Sequence, residues 1–222
     1  MLKVSLKEKL NIAIRNVVYV SILFFLFGAF IKSDGPKFDA NKFYELIKDT
    51  FSFCAAFVGP VIAYVLFNDW RQEHLEKKLE TDSESIFKKL NDIYLKLFEV
   101  RMSICKQDTL NENEGLEINM TMELTTIELM RCRNHVQLLK NEDSRTDNFI
   151  KKANGIIDSL NEVNNEFYDI QNAYVSYHLL NKPYDYLSPM RTTTDKLKNN
   201  TNRINELNKL CKDLQVKNFQ PT

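Results

Sequence analysis

FSFCAAFVGPVIAYVLFNDW, Phe51 to Trp70, decides how the rest of the chain is read. Its first 17 residues, Phe51 to Phe67, carry no charge, and Asp69, Trp70, Arg71, Glu73 and His74 follow at once. A helix needs about 17 to 25 predominantly apolar residues to cross roughly 30 Å of hydrocarbon. Trp70 and Arg71 stand where an interfacial ring and a snorkelling cation mark a lipid boundary. The pattern predicts one helix that leaves the bilayer, without a break, as the first helix of a bundle in water.

Upstream, Val17 to Ile31, VVYVSILFFLFGAFI, is a second uncharged run of 15 residues. At 1.5 Å per residue it covers only about 22 Å. Ile12 to Asn16, with Arg15 snorkelling to the headgroups, bring it to full length. Ser5 and Glu8 have the spacing of a capping box and start the helix. IKSDGPKFD, which follows the run, has no small-residue cleavage site, so the reading is an uncleaved anchor rather than a signal peptide. Gly35 and Pro36 break the chain into a turn. From Asp39 or Asn41 the helical pattern resumes, with Phe43, Leu46 and Ile47 on its apolar face.

Residues 1–70 are therefore expected to form a transmembrane hairpin. Four cations precede the first run (Lys3, Lys7, Lys9, Arg15) and four follow the second within residues 69–88 (Arg71, Lys77, Lys78, Lys88). Lys32, Lys37, Lys42 and Lys48 lie between. Eight against four places both termini in the cytoplasm. Neither run holds an ionisable residue, which argues against a charged path for ions or protons.

Within the second run, Ser52, Ala55, Ala56, Gly59 and Ala63 put small side chains on one helix face. Such faces let backbones approach closely in lipid. Two uses stay open: packing against the first run around Gly28 and Ala29, or self-association between chains. Pro60 removes a backbone donor and is expected to kink the helix.

Residues 71–222 are polar and periodic. Leu79, Ile86, Ile93 and Val100 form one register, and Ser83, Leu90, Leu97 and Ile104 the other. Phe87, Tyr94 and Phe98 widen that stripe beyond a zipper seam. After the polar break KQDTLNENEG, Leu116, Met120, Leu124, Ile127 and Met130 mark the apolar face of the next helix. Phe149, Ala153, Ile156, Leu160, Val163, Phe167, Ile170, Tyr174 and Tyr177 follow unbroken steps of four and three. NKPYDYLSP, with Pro183 and Pro189, ends that helix, and Leu197, Ile204, Leu207, Cys211 and Leu214 define the last. The fold class expected is an all-α membrane protein whose hairpin leads into a cytoplasmic antiparallel helical bundle with coiled-coil character. Only 5 Gly and 5 Pro in 222 residues fit long helices with few turns.

Little here points to catalysis. Thirty Lys and Arg balance thirty Asp and Glu, so no global field draws in nucleic acid or anionic lipid. No phosphate loop, nucleophile elbow, HExxH or dinucleotide fingerprint occurs. Cys54, Cys105, Cys132 and Cys211 are scattered and read as free thiols of a reducing compartment. Cys132 and His135 have a CxxH spacing but lack the second pair that a zinc site requires. No catalytic residue, metal or cofactor is expected. The last helix is mildly basic, with Arg191, Lys196, Lys198 and Arg203 among seven cations facing three anions between residues 191 and 217. With Tyr184 and Tyr186 just before it, this is a candidate partner surface, for a protein, a nucleoprotein or a nucleic acid backbone. A solvated helix face explains the same charges.

FVGPVIAYVLFNDWRQEH, Phe57 to His74, resembles the second span and membrane exit of small bacterial two-transmembrane effectors of phage defence, of the kind associated with retrons. Gly59, Pro60, Trp70 and Arg71 carry the resemblance. It implies an inner-membrane toxin, silenced by protein or nucleoprotein partners until infection, that then damages the bilayer. A tether whose bundle docks a partner without toxicity is the alternative, and an enzyme would need a polar pocket inside the bundle.

Overall fold

The computed structural model describes residues 5–32, 39–106, 112–139, 144–180 and 187–215. Five helices account for them: α1 (Leu6–Lys32), α2 (Ala40–Lys106), α3 (Glu112–Leu138), α4 (Ser144–Leu180) and α5 (Leu187–Leu214). No strand occurs among the described residues. The chain divides into two units, Met1–Leu75 and Glu76–Thr222. That boundary falls inside α2, whereas composition placed it at residue 70.

In the first unit both helix starts are capped by their own sequence. The Ser5 N–H donates to Glu8 Oε2 at 3.0 Å and the Glu8 N–H to Ser5 Oγ at 3.2 Å, closing the capping box. Asp39 Oδ1 accepts from the N–H of Asn41 at 3.0 Å and of Lys42 at 3.4 Å, which fixes the start of α2. Along α1, Lys9, Phe24 and Gly28 meet Asp69, Phe53 and Leu46 of α2 in turn, so the two helices run in opposite directions. The Phe24 and Phe53 rings stack with centroids 4.6 Å apart. A Cβ at Gly28 would collide with the tip of the Leu46 side chain, so the glycine is what allows that approach.

These helices bury little. Two of them are long and apolar enough to cross a membrane, Leu6–Ile31 and a stretch of Ala40–Lys106. Only 11% of the most apolar 18 residues of the first, and none of the second, are buried within the protein. An ordinary core helix would be mostly buried. Ser21 Oγ donates to the Val17 carbonyl at 2.9 Å and Thr50 Oγ1 to the Leu46 carbonyl at 2.8 Å, so both hydroxyls are satisfied within their own helix.

The second unit has one core fed by four helical segments. Ile86, Leu90, Ile93, Leu97, Val100 and Ile104 of α2 are buried in it, as the four-three spacing requires. α4 contributes Phe149, Ala153, Ile156, Leu160, Val163, Phe167 and Ile170, and α5 contributes Leu197, Ile204, Leu207, Cys211 and Leu214. Tyr174 is buried as well, but Tyr177 is 39% exposed and the stripe ends before it.

Polar links show which helices adjoin. Between α4 and α5, Arg145 donates to the Asp213 carbonyl, Lys152 pairs with Glu206, Ser159 Oγ accepts from Asn200, and Lys196 bridges Glu162 and Glu166. Numbers rise on one helix as they fall on the other. The same reversal holds between α3 and α4 (Arg133 with Asp158, Asn164 with the Met122 carbonyl). It holds between α2 and α3 (Asp82 with His135, Lys96 with Glu128) and between α2 and α5 (Ser83 with Cys211, Tyr94 with Thr201, Arg101 with Thr194).

Two expectations fail. The stripe Leu116, Met120, Leu124, Ile127 and Met130 is not the core face of α3: Leu116 is 67% exposed and Met120 and Met130 each 63%. Ile118, Met122, Thr125, Leu129, Cys132 and Val136 are the residues that α3 buries. Two apolar stripes compete on this helix, and the richer one in sequence lies outside. Pro189, read as a stop, sits instead in the first turn of α5, where a missing N–H leaves no bond unmade.

The core also contains polar side chains. Asn164 Nδ2 donates to the Met122 carbonyl at 3.0 Å and to Thr126 Oγ1 at 2.9 Å. Gln171, two turns further along the same face of α4, is fully buried, and among the described residues neither of its amide atoms is hydrogen-bonded. An unsatisfied buried amide costs about 1–3 kcal/mol. Gln171→Met, which keeps the volume and removes the amide, is therefore expected to raise stability by about 1 kcal/mol in urea unfolding followed by circular dichroism, whereas Leu160→Ala should lower it by about 3 kcal/mol. A loss on Gln171→Met would show that the amide has a partner.

Charge adds a pH dependence. Lys152, by hydrogen bond and then by charge, holds the Glu206 carboxyl below its usual range. A depressed carboxyl stabilises the fold above its unfolded pKa and loses that contribution as pH falls through its folded value. The melting-temperature gap between the native chain and Glu206→Gln should thus be present at pH 7 and close below about pH 4. A gap that does not narrow as the pH falls below about 4 would contradict this.

Candidate functional site

The small-residue face of α2 is open. Ser52, Ala55, Ala56, Gly59 and Ala63 are all exposed, and among the described residues a Cβ built on Gly59 meets nothing within 4 Å beyond its own stretch of helix. Packing against α1, one of the two uses left open by the sequence, is not what the structure has: α1 engages α2 through Phe24, Phe25 and Gly28, against Phe53, Phe43 and Leu46. Phe43, Leu46 and Phe53 of α2 thus meet α1, and the small side chains face away. Pro60 lies inside α2, which runs on through it without interruption.

At the polar end of the apolar run, Lys9 Nζ donates to Asp69 Oδ1 at 2.6 Å, tying the start of α1 to the exit of α2. Both side chains are about one-third exposed. Trp70 is 60% exposed, with its ring stacked on His74 at 5.6 Å and tilted toward Phe67 at 6.0 Å. Arg71 is exposed beside it. Sequence reasoning singled out Trp70 and Arg71 but missed the Lys9–Asp69 pair. Opposite charges just outside two apolar runs were the signal, and only the opposed direction of the helices makes it legible.

On α5 the expected basic surface is smaller than its composition. Lys196 is held between Glu162 and Glu166, first by hydrogen bonds and then by their charge, which raise its pKa above the ordinary lysine value. Its ammonium belongs to the α4–α5 seam. Arg203 lies over α4, its guanidinium 3.1 Å from where a Cβ on Gly155 would stand. Arg191 and Lys198 remain exposed, two turns apart. Tyr184 and Tyr186 lie outside the described residues.

An open groove near the start of α5 is lined by Glu166, Asp169, Ser188, Pro189, Thr192 and Thr193. Glu166 in it is already engaged by Lys196 and by the Thr193 hydroxyl at 2.8 Å. Among the described residues no three His, Cys, Asp or Glu side chains gather as a metal site would require. Cys132 is buried, and desolvation pushes its thiol up to about 11, the opposite of what a nucleophile needs. His135 faces Asp82 at 3.5 Å.

No protein-family description, curated protein or solved structure matches this chain. The candidate site therefore rests on its own geometry: an open small-residue face on one helix, bordered by a paired charge and an exposed tryptophan.

If the Lys9–Asp69 pair sets the register of α1 against α2, Lys9→Glu should lower the melting temperature in detergent by the equivalent of about 0.5–1 kcal/mol, and Lys9→Glu with Asp69→Lys should restore it. Equal losses in the single and double variants would rule the pairing out.

Proposed function

We propose that this chain is a membrane-anchored helical effector of a bacterial antiviral defence system, held inactive by partners and perturbing the inner membrane when released. On this reading α1 and the first part of α2 form a two-span hairpin, with both termini in the cytoplasm. The following helices form an antiparallel four-helix bundle of coiled-coil character that receives the signal. The observation that carries the reading is the face Ser52, Ala55, Ala56, Gly59 and Ala63: exposed, free of large side chains, and on a helix apolar enough to span a bilayer. In lipid the hydrophobic effect no longer separates helix from surroundings. Close backbone approach over small residues supplies the association energy instead. Pro60, one residue beyond Gly59, leaves the Ala56 carbonyl without its helical donor, and a second helix packed there can shield or satisfy it. Several copies meeting on this face would place their spans side by side in one membrane. The resemblance of Phe57–His74 to retron-associated effectors points the same way.

A non-toxic tether is the second reading, and the apolar outer face of α3 favours it, because a docking bundle needs such a surface.

Inducible expression in bacteria with a voltage-sensitive dye separates the two. The effector reading expects depolarisation and growth arrest once the chain is released from its partners, and Gly59→Leu, which fills the open face, should reduce the effect at least tenfold with the protein still in the membrane fraction. Unchanged toxicity in Gly59→Leu would remove the packing argument. No depolarisation under any activating condition, with function retained after both spans are exchanged for an unrelated hairpin, would establish the tether.

A further inference from the structure

We infer that the outer face of α3 is an interface between two copies of this chain, with the two α3 helices meeting about Ile127. The argument concerns the Glu76–Thr222 unit alone and does not depend on the membrane reading. Leu116, Met120, Leu124, Ile127, Met130 and Leu138 project from α3 on the side opposite its buried stripe, and Leu138 is 79% exposed. Together they leave on the order of 600–700 Å² of apolar surface in water, at or above the ~300–600 Å² that is the largest such patch on a typical monomer. Doubled by symmetry, this approaches the ~1,200–2,000 Å² of a standard interface, whose rim would come from neighbouring polar residues.

The order of residues along the face names the occupant. Counting outward from Ile127, Leu124 corresponds to Met130, Met120 to Asn134, and Leu116 to Leu138. Glu123, four residues before Ile127, corresponds to Arg131, four residues after it. Two α3 helices running in opposite directions about a two-fold axis at Ile127 therefore place apolar residues against apolar ones through most of the contact. They also bring each Glu123 against the Arg131 of the second copy, twice over. A two-fold contact needs a surface that is its own complement in this way. Running the helices in the same direction would instead set Glu123 against Glu123 in the seam. Among the described residues neither has an ion pair, whereas Lys96–Glu128 and Arg133–Asp158, on either flank of α3, are closed inside the chain. Leu116, Met120 and Leu124 make one row at intervals of four, and Met130, Asn134 and Leu138 a second. Rows of that kind interdigitate when two helices pack, each row of one copy entering the groove of the other.

The test uses the full chain in density-matched detergent micelles, where no shared bilayer dictates how the copies face. Sedimentation equilibrium between about 1 and 100 µM is expected to show a monomer–dimer equilibrium. Ile127→Asp should weaken it at least tenfold, with circular dichroism unchanged because the residue is on the outside. Glu123→Arg and Arg131→Glu should each weaken it several-fold, and the double exchange should restore it to within about twofold. A monomer throughout that range would overturn the inference, as would a dimer indifferent to Ile127→Asp. Failure of the double exchange to recover the loss of the single variants would overturn the pairing about Ile127.

Discussion

Everything in this protein follows from what surrounds each turn of one helix. α2 runs from Ala40 to Lys106 as a single element, and its sequence changes character along the way. From Phe51 to Phe67 it is apolar on nearly every side, and none of its most apolar window is buried in the protein. From Leu79 onward the apolar residues narrow to one stripe, and that stripe is covered: Ile86, Leu90 and Leu97 are wholly buried. Water tolerates the second arrangement and penalises the first at roughly 25 cal/mol for each Å² of apolar surface. The proposed hairpin is the answer to that imbalance. On that proposal, lipid covers the exposed Phe51, Phe57, Tyr64 and Phe67.

Within the second unit, specificity comes from unlike seams. The α4–α5 seam is ionic along its rim, with Lys152, Lys196 and Arg145 each engaged across it. The α2–α5 seam has no ion pair among these links but hydrogen bonds of Tyr94 with Thr201, Ser83 with Cys211 and Arg101 with Thr194. The α3–α4 seam is threaded by amides, of which Asn164 is half satisfied and Gln171 not at all. A helical bundle built only from Leu and Ile could exchange its helices with little penalty. Distinct partners at each seam penalise the wrong neighbour, because a misplaced Asn164 would lose its hydrogen bonds inside a low-dielectric core and a misplaced Lys196 would lose its two carboxylates at the rim. Gln171 is the exception, a buried polar group whose cost the fold carries without visible return.

Much of the architecture was legible because period and burial coincide. The eight positions from Phe149 to Tyr174 in α4 are all buried. The capping box at Ser5 and Glu8 forms as its spacing requires. α3 was misread for a physical reason. Leu116, Met120, Leu124, Ile127 and Met130 are more apolar than the stripe that is buried, which includes Thr125 and Cys132. Periodicity identifies apolar faces but does not say which of two faces meets the core. The basic surface on α5 was overestimated for a related reason: composition counts Lys196 as a free cation, while Glu162 and Glu166 on α4, remote in sequence, engage it. The open side of Gly59 was likewise beyond reach, since a row of small residues looks the same whether α1 or nothing covers it.

The proposal that two apolar segments live in lipid is tested most directly by fractionating cells that express the intact chain and washing the membranes with alkaline carbonate. The account predicts that the chain stays with the membrane pellet through the wash and enters solution only with detergent. Release by carbonate alone, yielding a protein stable in water without detergent, would contradict it, because Val17–Ile31 and Phe51–Phe67 would then have to be covered by protein.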